Sequence, residues 1–80
     1  MNDRKLRRFW FQVDVGLGIG VTEFSEAEAR ALAESEARRL GRRIISCTPD
    51  IDVSTLDPRH VLPNLGPSAV RGIWYPRLNV

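Results

Sequence analysis

Eighty residues leave room for one folded domain and exclude a second with its own core. Apolar residues make up 42% and charged residues 28%, the balance of a globular chain rather than a disordered one. No apolar run approaches the roughly 18 residues that cross a bilayer, and the opening residues lead into an aromatic strand rather than a signal-peptide core, so a cytoplasmic protein with no membrane contact is expected.

The formal charge of +2 hides an uneven distribution. Residues 1–8 carry a net +3, residues 9–37 a net −5, and residues 38–43 a net +4, while the remainder balances. Two basic clusters therefore flank an acidic stretch. Closely spaced guanidinium groups release counterions from nucleic acid. Cations at a helix C-terminus also answer the macrodipole without any ligand.

In residues 8–15, Phe9, Phe11, Val13 and Val15 alternate with Trp10, Gln12 and Asp14, which predicts a strand with one buried face. Gly16, Gly18 and Gly20 then supply a tight reversal, and Val21-Thr22-Glu23-Phe24 is again β-forming, so the chain opens with a hairpin over 8–15 and 19–24. Ser25-Glu26-Ala27-Glu28 fits a capping box. The run Glu26–Leu40 holds five alanines and no glycine or proline, and it stops at Gly41, which suits a left-handed C′ position. Its apolar stripe, Ala29, Leu32, Ala33, Ala37 and Leu40, is small enough to let a helix approach a sheet closely.

Residues 42–48 predict a third strand, ended by Pro49. Residues 49–68 hold four of the five prolines, an unusually long connection for a compact domain. Residues 69–75 predict a last strand, closed by Pro76. With a helix connecting the second and third strands, a crossover with one parallel pairing stays open.

The candidate chemistry is sparse. The glycine spacing lacks the Rossmann pattern and no Walker lysine is present, so a dinucleotide site and any other cofactor are not expected. His60, beside Asp57 and Arg59, is the sole histidine and the only candidate for acid–base work. Cys47 cannot form an internal disulfide; as a nucleophile it would need that histidine beside it. One His and one Cys among Asp50, Asp52 and Asp57 give no metal-ligand spacing.

The bulky aromatics are more informative. If Phe9 and Phe11 face the helix, alternation sends Trp10 to the other face of the sheet, together with either Trp74 or Tyr75, and one helix covers only one face. Either the long loop folds back over these rings, or they form an exposed patch with the composition of an interface hot spot.

The string Asp50-x-Asp52-Val53-Ser54-Thr55-Leu56-Asp57-Pro58-x-His60-Val61-Leu62-Pro63-Asn64-x-Gly66-Pro67, followed by Arg71-Gly72-Ile73-Trp74-Tyr75-Pro76, resembles a group of small, uncharacterised bacterial proteins of about this length. Phe9-Trp10-Phe11 and Gly18-x-Gly20-Val21-Thr22-x-Phe24-Ser25 extend the resemblance over nearly the whole chain. It implies no activity, cofactor or catalytic residue.

The expected architecture is α+β: one domain over residues 1–80, with a four-stranded, mainly antiparallel sheet in ββαββ order, the helix on one face, a long Pro-rich loop, and a mobile basic arm over residues 1–7. The leading functional expectation is a non-enzymatic binding module acting through a protein partner, of the size of immunity, antitoxin or inhibitor proteins, with Trp10, Arg59, His60, Asn64, Arg71, Trp74 and Tyr75 as contacts. The alternative is nucleic-acid binding through Arg4, Lys5, Arg7, Arg8, Arg38, Arg39, Arg42 and Arg43. The third is a small enzyme around His60, which requires that imidazole to line a pocket. Self-association through a sheet edge is compatible with all three.

Overall fold

The computed structural model describes residues 5–76. Strands β1 (Arg7–Val13) and β2 (Ile19–Glu23) form the hairpin, helix α1 (Glu26–Leu40) follows, and β3 (Ile44–Pro49) and β4 (Gly72–Tyr75) complete an α+β fold. The sheet order is β3-β1-β2-β4, and every neighbouring pair is antiparallel. The helix is a crossover, but it carries the chain across β1, so the strands it joins are not paired and no parallel ladder forms.

Alternation in β1 builds the helix-side core. Phe9 and Phe11 pair with Val21 and Ile19 across the hairpin. Together with Val13 they form a fully buried cluster against Ala29, Ala33 and Ala37. Three alanines one turn apart bring the helix axis onto the phenyl rings.

Helix α1 begins and ends where its capping residues sit. The Glu28 amide donates to Ser25 Oγ at 3.2 Å, and the Ser25 hydroxyl donates to the Glu28 carboxylate at 2.8 Å. At the other end Gly41 is left-handed (φ 70°), with its amide donating to Arg38 O and the Arg42 amide to Ala37 O. This is a Schellman exit.

Several strand boundaries differ from the expectation. Arg7 is already strand, paired opposite Glu23, so it is no part of a basic arm; residues 1–4 of that arm, Arg4 included, lie outside the described residues. Asp14 and Val15 belong to the β1–β2 turn, where the Asp14 carboxylate accepts from the Arg43 amide at 3.0 Å and the Asp14 amide donates to Arg43 O at 2.9 Å. The helix exit therefore occupies Arg42 and Arg43, and β3 starts at Ile44. Residues 67–70 form a turn closed by the Val70 amide on Pro67 O, so β4 starts three residues later than its β-forming composition indicates.

Candidate functional site

The sheet's second face is closed. Trp10 and Trp74 retain only 6% and 1% of their exposure, packed in a second core with Leu56 and Val61 and bordered by Ile51, Val53, Leu62, Leu65 and Tyr75. The proline-rich connection folds back over them, so the two indoles do not form a docking patch. The physical reason is sufficiency of apolar groups: the loop's own aliphatic residues supply the cover that a second helix would otherwise provide.

Glycine spacing makes room for the rings. A side chain at Gly18 would meet the Trp10 indole at 2.6 Å, and one at Gly20 would collide with the Trp74 six-membered ring. Gly20, which does not have positive φ, is there for close approach rather than for turning. A bulge in β4 then changes the facing of the aromatics: Gly20 pairs with Tyr75 and Val21 with Ile73, which leaves Trp74 as the extra residue. Both Trp74 and Tyr75 consequently approach Trp10, with ring centroids at 5.9 and 5.7 Å, whereas strict alternation would bring only one. Burial pushes the Tyr75 hydroxyl above its ordinary pKa.

The recognisable loop string is accounted for by the loop's own hydrogen bonds. Asp52 accepts from the Ser54 amide at 3.0 Å and from its hydroxyl at 2.7 Å, while the Thr55 hydroxyl donates to Asp52 O. Asp57 accepts from the amides of Arg59 and His60 at 2.8 and 3.0 Å, and Asn64 Nδ2 donates to His60 O. These bonds hold the carboxyl groups of Asp52 and Asp57 below the usual carboxylate range, chiefly through the Ser54 hydroxyl and the Arg59 amide respectively. The cover is tied down by the Gly66 amide on Trp74 O, the Ile51 amide on Arg8 O and the Thr22 hydroxyl on Ser68 O at 2.6 Å.

Of the residues expected to contact a partner, Arg59, His60 and Asn64 lie on the outer side of this cover. Arg71 is engaged with the molecule itself, donating to the buried Glu23 carboxylate at 2.9 Å and stacking over Phe24. The His60 ring is 68% exposed, and its Nδ1 stands 3.5 Å from Asp57 Oδ2. It does not line the cleft described below. Cys47 packs with the helix-side core, on the opposite face of the sheet from the loop that carries His60, so the two are separated. Burial raises the Cys47 thiol pKa, which disfavours the nucleophilic thiolate. Among the described residues no three His, Cys, Asp or Glu side chains converge as metal ligands, and no helix is long and apolar enough to cross a membrane.

The structure places the described members of the two basic clusters at opposite ends of β1, so among the described residues they do not make one continuous phosphate-binding track. At the first end Arg7 is clamped by two bonds to Asp50 at 2.8 and 2.7 Å, and Arg8 donates to Ser68 O; Lys5 is exposed. At the second, Arg39 makes two bonds to the buried Glu36 carboxylate at 3.0 and 2.6 Å. Arg38, Arg42 and Arg43 make no ion pair among the described residues. They border an open cleft of about 190 Å³ together with Glu34, Ala37 and Ile44. The Arg42 guanidinium also lies against Gly16, at the tip of the β1–β2 turn between the exposed side chains of Val15 and Leu17. Glu34, Ala37, Ile44 and the turn tip were not among the functional residues expected from the sequence. Its one signal was Gly16 flanked by two aliphatic residues where a turn would ordinarily be polar.

Comparison with family models, with curated proteins and with solved structures finds no match for this chain.

Proposed function

We propose that this chain is a small non-enzymatic binding module that docks on a protein partner through the corner where the end of α1 meets the β1–β2 turn. The supporting observation is the meeting there of three arginines whose guanidinium groups make no ion pair among the described residues, around one cleft, with the exposed aliphatic side chains of Val15 and Leu17. Arginines rimming aliphatic groups suit a protein surface with an acidic border. Nucleic acid has less support: the clusters lie at opposite ends of β1, and the indoles that could stack on bases are sealed.

In-cell photo-crosslinking tests the proposal, with a photoreactive residue in place of Leu17 and, as control, in place of Arg59. A discrete protein adduct is expected from position 17, lost when Arg42→Glu and Arg43→Glu are introduced, and absent from position 59. Adducts from position 59 alone, or adducts indifferent to the charge reversal, would overturn it.

A further inference from the structure

We infer that the cleft between Arg38, Arg42 and Arg43 seats a phosphoryl group carried by the partner protein, an inference that rests on the docking corner proposed above. The Schellman exit at Gly41 fixes the backbone on which the three side chains stand, since the Gly41 and Arg42 amides are both bonded back to the last turn. Their starting points are thus set before any ligand arrives.

The charge exceeds what the helix itself requires. The C-terminal end of the macrodipole amounts to about half a negative elementary charge. Arg39 stands in the same last turn, although its guanidinium is committed to Glu36. Three further guanidinium groups, set against the Glu34 carboxylate at the rim, the Asp14 carboxylate bonded to the Arg43 amide and the helix end, still leave a surplus of about half a positive charge. A phosphoryl monoester carries about −1.5 to −2 at neutral pH, with three acceptor oxygens for three guanidinium groups that make no ion pair among the described residues. Guanidinium forks match phosphate oxygens in geometry as well. Space is sufficient: a cavity of about 150 Å³ admits benzene, and this cleft has about 190 Å³.

The test is titration of the purified protein with O-phosphoserine and with inorganic phosphate, read from the side-chain Nε–H resonances of the arginines by NMR. Saturable shifts confined to Arg38, Arg42 and Arg43 are expected, with Arg59 unmoved. Arg42→Ala should weaken binding about tenfold. Because Arg42 also packs on Gly16, Arg38→Gln serves as an independent variant and should weaken it by a similar factor. Glu34→Gln should tighten binding two- to threefold, because it removes the one negative side chain of the rim.

Equal shifts at every arginine with chloride at matched ionic strength, or weaker binding in Glu34→Gln, would overturn the inference. So would a 12-nucleotide single strand that binds far more tightly than phosphoserine, with an affinity falling steeply in salt. The two proposals fail separately. No phosphoserine binding with an intact Leu17 crosslink removes the phosphoryl group alone, and phosphoserine binding with a crosslink indifferent to Arg42 and Arg43 removes the docking corner alone.

Discussion

The six-membered ring of Trp74 occupies the space above Gly20 where a side chain would stand. A methyl group there cannot coexist with the ring, and the ring has little room to retreat because it is packed in one buried cluster with Trp10, Leu56 and Val61. Gly20→Ala should therefore cost about 1–3 kcal/mol through overpacking, although alanine is no worse a strand former than glycine. A urea midpoint and a red-shifted tryptophan emission would show it; an unchanged midpoint would mean that the indole is not seated there.

Because Trp10 and Trp74 are core residues, Trp10→Ala and Trp74→Ala should each destabilise the fold by about 3–5 kcal/mol. For an 80-residue domain that is a large share of the total. Far-ultraviolet circular dichroism during thermal melting measures the loss. A Trp10→Ala variant that melts like the parent would return the indole to the surface.

Trp74 Nε1 is buried without an acceptor among the described residues. Trp74→Phe should accordingly cost less than truncation to alanine, since it removes the orphaned N–H while keeping an aromatic ring against Trp10, although the space over Gly20 is vacated. Comparing the two melting temperatures decides the point. Equal losses would show that the indole's second ring carries the packing.

Four aspartates are held below their ordinary pKa: Asp14 chiefly by the Arg43 amide, Asp50 by the Arg7 guanidinium, Asp52 by the Ser54 hydroxyl and Asp57 by the Arg59 amide. A depressed carboxyl releases its proton more readily in the folded chain than in the unfolded one. The resulting stability is complete above the unfolded value of about 3.9 and drains away as pH falls through the lower folded values. Urea midpoints should hold between about pH 7 and 5 and fall below about pH 4. In Asp57→Ala the acid-dependent part should shrink. A flat profile would show that these hydrogen bonds contribute nothing net.

The Thr22 hydroxyl ties the cover to β2 through Ser68 O. Thr22→Val keeps the shape and deletes the bond, so opening of residues 50–70 should become easier by about 1 kcal/mol, read as faster amide exchange in that segment with little change in β1. Uniformly faster exchange would indicate a global effect instead.

Much of the architecture was legible in the chain. The capping box at Ser25, the alanine-rich run and the glycine stop specify α1 from local hydrogen bonding alone, and the alternation of Phe9, Phe11 and Val13 sets the buried face of β1. Less was legible at the functional surface. The two tryptophans that drew attention proved to be internal, while the corner that remains open is built from arginines readable as helix caps and from a turn tip readable as mere turn.

Local spacing determined the helix, the hairpin and the buried face of β1, because these depend on residues a few positions apart. Only the tertiary structure decided what covers the second face, since burial of Trp10 depends on Val61, fifty-one positions away, and on glycine slots whose purpose is invisible until a ring lies in them. The bulge that turns both Trp74 and Tyr75 inward and the separation of the two basic clusters to opposite ends of β1 belong to that same class. Each is set by how distant segments pair and pack, and no periodicity within a segment encodes that.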